Sequence, residues 1–374
     1  MKKRTRFILF STFIVIYLIL SPLIIFYSLG YRFDFTQMKI VSTGGLYLKI
    51  WPGDAQINID GKIDKKTGVF SNEALIQGLF PKKYNIIIKK DGHSAWEKNL
   101  EIKDRQVTSV DNVTLIKENI LFEKIKDNIK SFYLSPNRDL ILLIDSTEYS
   151  FSINDTQTMA EKNSFLLPES TEKNVGVVSW DENLKIIMLE ANNNYFLIDY
   201  NKLGVIKPKT TSFESTNDLV SGGKLTFKKV DGYIYLLDKE TNKFSGFYQA
   251  KDIIFSPDES KFLFFNNYEI LFAKTDNPDD KNFLLRFSEK INNCFWLNNN
   301  YLIFDVAGNI KISEIDNRDK INTVALPQQI SLKGNSTITL NNPKMFFDEI
   351  NKNLYLLNNK ILLISERLTD KNNK

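Results

Sequence analysis

Ile253-Ile254-Phe255-Ser256-Pro257-Asp258-Glu259-Ser260-Lys261-Phe262-Leu263-Phe264-Phe265 is the stretch whose reading decides the fold. It reads as a hairpin: an apolar strand, a polar turn, then a strand apolar on both faces. Pro257 presets its backbone angle, and Asp258 tolerates a tight turn and bonds its own backbone. A strand without a polar face is buried between neighbours. The pattern recurs along the chain. Phe132–Leu143 carries it around Ser135-Pro136-Asn137, and weaker copies lie at Val177–Ile187, Cys294–Phe304 and Met345–Leu357. Lys224–Leu237 adds one more, with its turn at Asp231-Gly232.

Self-similarity at a roughly fixed period signals a repeat architecture. Units of about 40–50 residues, each of four short strands, are what a propeller blade needs. The Ser-Pro-Asp turn resembles the WD40-like repeats of periplasmic TolB-type β-propellers. The resemblance implies an all-β propeller over residues 118–366, of about six blades at ~40–45 residues each. The uneven spacing also fits five or seven, and a large β-sandwich or β-solenoid is the alternative.

Residues 45–117 have period two. Leu46, Leu48 and Ile50 face one way, Tyr47 and Lys49 the other. Pro52 and Gly53 make a turn, Ile57 and Ile59 point inward, and Asp60-Gly61 is a hairpin signal. Tyr84, Ile86 and Ile88 share a face, Asp91-Gly92 turns the chain, and Trp96, Leu100 and Ile102 alternate with Glu97, Asn99, Glu101 and Lys103. Pro52-Gly53-Asp54-Ala55, Ile57–Lys62, Leu79-Phe80-Pro81, Tyr84-Asn85-Ile86 and Lys90-Asp91-Gly92-His93 resemble a PEGA domain. Pro-Gly-Asp-Ala stands for the family's Pro-Glu-Gly-Ala, and His93 for its usual Tyr. The resemblance implies a small β-sandwich with an interaction role outside the cytoplasm and no catalytic residues.

Phe7–Leu29 contains no charge. As a helix it spans about 34 Å at ~1.5 Å per residue, enough for a hydrocarbon core with some tilt. Pro22 is expected to kink this helix without ending it. Lys2, Lys3, Arg4 and Arg6 precede the run and hold the N-terminus on the cytoplasmic side. The expected order is a basic tail at 1–6, a transmembrane helix at 7–29, an extended polar linker at 30–44, the PEGA-like domain at 45–117, the propeller at 118–366 and a disordered tail at 367–374. A cleaved signal peptide, with Ser28 and Gly30 at its cleavage site, is the competing reading, but its apolar core is usually about 7–15 residues.

The net charge of +4 is matched by the four basic residues before the apolar run. The remainder is balanced, which gives no electrostatic case for nucleic acid. Cys294 is the one cysteine and His93 the one histidine, so an intramolecular disulfide and a Cys/His zinc centre are excluded. Cys294 reads as a small buried hydrophobe. A Ser/His/Asp triad has only His93 to use, in a turn. Asp276-Asn277-Pro278-Asp279-Asp280 is the densest acidic cluster; it lacks a calcium-loop frame and reads as a solvated loop. Trp51, beside a turn, reads as a half-buried strand-end residue. No phosphate-binding glycine loop occurs. The composite expectation is a membrane-anchored, extracytoplasmic, non-enzymatic protein that binds a protein or polysaccharide of the cell envelope. No residue is marked as catalytic, metal-binding or cofactor-binding, and no cofactor is required. The alternatives are a propeller enzyme acting on envelope carbohydrate and a passive scaffold.

Overall fold

The structure, a computed structural model, describes residues 3–35, 37–68, 71–146, 150–166, 175–191, 194–201, 204–206 and 219–369. Lys2 and the end of the expected tail, residues 370–374, lie outside the described residues, as do the side chains of Lys3 and Arg4. The described residues form one helix, α1 (Lys3–Ser28), followed only by strands. They divide into two compact units. The first comprises residues 1–118 together with 316–322; the second comprises 119–315 and 323–374.

In the first unit α1 runs unbroken through Pro22. Two of its hydroxyls turn back on the helix: Thr12 donates to the Ile8 carbonyl at 2.9 Å, and Ser28 to that of Ile25 at 3.2 Å. The segment after it differs from the expected extended linker. Residues Tyr31–Asp34 (β1) and Lys39–Ser42 (β2) pair as an antiparallel hairpin. Tyr31 and Phe33 alternate with Arg32 and Asp34 in β1, and the register sets Ile40 beside Phe33 and Lys39 beside Asp34, so the two faces of the hairpin differ chemically.

The rest of this unit is seven strands: β3 (Gly44–Trp51), β4 (Gln56–Ile59), β5 (Ile63–Lys66), β6 (Glu73–Leu79), β7 (Lys82–Lys89), β8 (Trp96–Ile102) and β9 (Val107–Thr114). They form a three-stranded sheet in the order β6-β3-β9 and a four-stranded sheet in the order β5-β4-β7-β8. The period-two residues Leu46, Leu48, Ile50, Ile57, Ile59, Tyr84, Ile86, Ile88, Trp96, Leu100 and Ile102 make one buried cluster. Asp60 and Gly61 both have positive φ, which that turn requires. Gly44 is fixed by close approach: a Cβ there would collide with the Lys103 carbonyl.

The second unit repeats one local motif. Ser135 and Ser256 each accept a backbone N–H five residues on, from Leu140 and Lys261, both at 3.0 Å. Each hydroxyl also donates within its own turn, to Asn137 at 2.8 Å and Asp258 at 2.6 Å. Asp181 and Asp348 do equivalent work with carboxylates, accepting the N–H groups two and three residues on. Each turn then carries one residue of positive φ: Arg138, Lys185, Glu259 or Lys352. Neighbouring turns are also bonded. Asn137 N–H donates to Glu182 at 2.8 Å, Asp258 N–H to Asn299 at 3.1 Å, and Lys352 Nζ to the Leu297 carbonyl at 3.2 Å.

The strands around these turns build five successive four-stranded antiparallel sheets and one six-stranded sheet. In the six-stranded sheet Leu121–Lys126 pairs with Ile361–Ser365, so the unit's first and last strands are hydrogen-bonded. The reading of this region as a closed six-bladed, WD40-like propeller is corrected by these pairings. Each sheet among the described residues is open, and none closes or curls onto itself. The sandwich expected at 45–117 is corrected to the same coarser statement, an all-β chain with one N-terminal apolar helix. The physical reason is one of range. Turn chemistry acts over about a dozen residues, whereas closure is set by packing between distant elements that hairpin signals do not encode.

Leu362 is fully buried and packs with Ile129, Ile141, Leu143, Tyr355 and Leu357, beside the terminal pairing. Leu362→Ala is expected to lower unfolding stability by about 2–4 kcal/mol. Leu166→Ala, at an exposed strand end, is expected to stay within ~0.5 kcal/mol of the parent. Denaturant titration of the two variants checks the contrast.

Candidate functional site

Strands β8 and β9 are each the edge of their sheet. An edge leaves a row of backbone N–H and C=O groups that must be covered or used. In the first unit the segment Asp316–Asn322 covers part of the β8 row. Asp319 accepts the Asn99 backbone N–H at 2.8 Å and its side-chain amide at 3.0 Å. Asn322 accepts the Glu97 N–H at 3.3 Å and donates to the Glu97 carbonyl at 3.1 Å. The alternation explains the spacing, because residues two apart on a strand present their amides to the same edge.

Beneath this cover lies Lys98, whose side chain is fully buried. Its position between Trp96 and Leu100 puts it on the inward face of β8. A buried ammonium must be paired and hydrogen-bonded. Lys98 Nζ donates to the Asp316 carbonyl at 2.6 Å and stands 3.6 Å from the Asp316 carboxylate. Arg318 grips the same carboxylate, Nε at 3.0 Å and Nη2 at 2.8 Å, and its Nη1 reaches the Ser109 carbonyl at 3.0 Å. Burial pushes the Asp316 carboxyl up; the Arg318 bonds and the Lys98 charge outweigh it and hold the group below its usual value. Lys320 binds Glu97 at 2.6 Å and lowers that carboxyl in the same way.

Beside the covered edge is a cavity of about 600 Å³, lined among others by Lys83, Asn99, Glu101, Gln106, Thr108 and Arg318. Cations, carboxylates, amides and hydroxyls share its wall. Such a lining suits a polar, hydroxyl- or amide-bearing ligand better than an apolar one.

The second unit holds a different charged group. Asp348 is fully buried, accepts three N–H bonds from Ile350 and Asn351, and stands 3.8 Å from Arg138 Nε. Arg138 also donates to the Ser135 carbonyl at 3.0 Å and lies over the Phe346 ring at 5.1 Å. Burial pushes the neighbouring Glu349 carboxyl up to about 6 against the pull of Lys352 and Arg138, and pushes the Lys352 ammonium down. Burial likewise raises the Tyr355 hydroxyl. Asp348 and Arg138 are held by turn backbone and face one another, and Lys352 is held by the Leu297 carbonyl. Among the described residues no three His, Cys, Asp or Glu side chains are placed to hold a metal ion.

The residues weighed in the sequence are placed as follows. Cys294 is buried and burial pushes its thiol up. His93 sits in the turn after Gly92, its Nδ1 3.0 Å from the Asp91 carbonyl, and belongs to the other unit from Cys294. Asn277–Asp280 open a strand, Asn277–Arg286, at a sheet edge, with Asp279 and Asp280 exposed; only Asp276 precedes it. Trp51 is half-buried at the end of β3. Lys98 is the residue that sequence reasoning passed over. Its signal was available, because the period of β8 places it with Trp96, Leu100 and Ile102. Asp316 and Arg318 carried no such signal, since their partners lie more than two hundred residues earlier.

No family model matches the chain, which removes the PEGA assignment, and no curated protein matches it. Solved structures resemble it only loosely. An auxiliary nutrient binding protein from Bacteroides thetaiotaomicron aligns at 10% identity over 84% of this chain and 90% of its own, with a TM-score of 0.40. A streptogramin B lyase aligns at 13% identity over 66% of this chain and 98% of its own, with a TM-score of 0.38. The WD40 domain of Toxoplasma gondii coronin aligns at 13% identity over 79% and 81%, with a TM-score of 0.31.

Asp316→Ala removes the carboxylate that faces Lys98 and Arg318 and is expected to cost about 2–3 kcal/mol. Lys98→Met is expected to cost less, because Asp316 keeps Arg318 while the apolar site keeps its volume. Chemical unfolding of the two variants ranks them. For Glu349 the folded value of about 6 exceeds the ordinary 4.5. The folded state therefore holds the proton more tightly, and the stabilisation is complete below pH 4.5 and lost as pH rises through 6. Glu349→Gln is expected to gain about 1–2 kcal/mol at pH 7 and almost nothing at pH 4. Unfolding midpoints across that range read the difference.

Proposed function

We propose that this chain is a membrane-anchored, extracytoplasmic, non-enzymatic protein that binds a polar partner, a protein or a polysaccharide, at the cell envelope. The observation that carries the reading is Thr5–Ser28. The most apolar window within these 24 residues has a mean hydropathy of 2.6, and none of that window is buried. Among the described residues it is the one helix long and apolar enough to cross a membrane. An apolar helix with no covering protein is stable in lipid and not in water. Lys3, Arg4 and Arg6 at its start favour an N-terminus held inside.

The binding half of the reading is supported by the polar cavity between the β8 and β9 edges. The non-enzymatic half is supported by where the charges go. Asp316, Arg318, Glu97 and Lys320 are engaged in holding β8, and Asp348 and Arg138 in holding turns.

Protease added to intact cells, with any outer layer opened, is expected to digest residues beyond about 45 and to spare the first six. Survival of the bulk of the chain until lysis overturns the topology. For binding, the detergent-solubilised full chain is expected to retain an envelope protein or glycan that Thr108→Arg, which fills the cavity, releases. Equal retention by the parent and by Thr108→Arg removes the cavity from the account.

A further inference from the structure

Among the described residues the hairpin β1–β2 leaves the apolar side chains towards its tip exposed. Residues two apart on a strand share a face, and Phe33 pairs directly with Ile40. Phe33 is 43% exposed, Ile40 62%, and at the tip Phe35 is 81% and Met38 72% exposed. The Phe33 and Phe35 rings meet edge to face at 5.0 Å. The other face carries Arg32, Asp34 and Lys39, with Val41 beside Arg32. A two-stranded ribbon is marginal by itself in water, and this one spends its largest side chains on its outer surface.

The hairpin is also fastened to the end of α1. Gly30, at φ +82°, makes the turn out of the helix. Thr43 closes the hairpin's base onto Gly30, its N–H and its hydroxyl both donating to the Gly30 carbonyl at 2.9 and 2.6 Å. Arg32 reaches back to the Tyr27 carbonyl at 2.7 Å, with its guanidinium 3.5 Å from the Tyr27 ring centre. Phe26 and Tyr31 pack edge to face at 5.7 Å. The exposed apolar surface of α1 therefore continues into the hairpin through a bonded junction.

We infer that the β1–β2 hairpin is a membrane-interface element, seating Phe33, Phe35, Met38 and Ile40 among the lipids that surround the end of α1. Aromatic and long apolar side chains are favoured at that depth, and Arg32 and Lys39 can hold their charges among headgroups. The occupant is lipid because the patch is continuous with a surface that itself needs lipid. The inference rests on α1 being the anchor and adds to it. It turns a single helix into a helix with a lateral foot, which limits how the chain can tilt and rotate at the surface.

The test uses the full chain in nanodiscs of phosphatidylcholine and phosphatidylglycerol. A polarity-sensitive fluorophore is attached at Phe35→Cys, at Ile40→Cys, at Tyr17→Cys within the helix, and at Glu240→Cys on an exposed turn. Lipids spin-labelled near the headgroup or deep in the acyl chain serve as quenchers. Positions 35 and 40 are expected to emit blue-shifted light and to lose it to the shallow quencher, position 17 to the deep one, and position 240 to neither. If position 17 is quenched while 35 and 40 behave like 240, the hairpin is in water and the inference is overturned with the anchor intact. If 35 and 40 are blue-shifted but unquenched, protein covers them, a second copy or a partner, and the inference is equally overturned. If position 17 escapes quenching, the anchor reading itself fails.

Discussion

The second unit depends on a pairing between its ends. Phe122 aligns with Ser365, Glu123 with Ile364 and Lys124 with Leu363, and the Glu366 N–H donates to the Leu121 carbonyl at 2.7 Å. Five sheets between these strands are built from local hairpins, each made by a turn that needs no distant partner. The terminal pairing is different, because it closes a loop of most of the unit and must offset that loop's entropy. It does so with fully buried residues, Phe122, Leu362 and Leu363. Local turns thus specify each sheet, and a single non-local sheet holds the ends of the array.

The first unit solves a related problem at its edges. A sheet edge that is neither covered nor charged invites another chain. Here side chains of Asp319 and Asn322 occupy the amides of β8, and the buried Lys98 gives that cover a fixed point to bind. Replacing the ammonium with an apolar group would make a simpler core. Retaining it ties the position of one segment to the position of one strand, which an apolar contact does less selectively. The polar cavity beside β8 is what remains of the edge once this cover is in place.

Much of this was legible in the residues. Leu46, Leu48, Ile57, Ile86 and Trp96 declared their face by period two, and Asp60-Gly61 and Asp231-Gly232 declared their turns. The repeated turn was legible in Asp258, expected to bond its own backbone and found accepting the Ser260 N–H; the serine hydroxyls that accept the Leu140 and Lys261 amides were not. Three further things were not. Lys98 broke the apolar pattern, so a reading by hydrophobicity passed over a residue whose position alone placed it inside. Asp316 and Arg318 act on partners that only the folded chain brings near. The arrangement of whole sheets was over-read, because turn motifs shared by many β proteins say how a strand reverses and not how sheets assemble.

Cys294 lies in the strand Ile291–Asn298 with 1% of its surface exposed, and burial holds its thiol protonated. Oxidising surroundings join reactive thiols. This chain offers them almost nothing to act on, since only the thiolate reacts and this one is both neutral and enclosed. A disulfide through this thiol is therefore not what joins one copy of the protein to another.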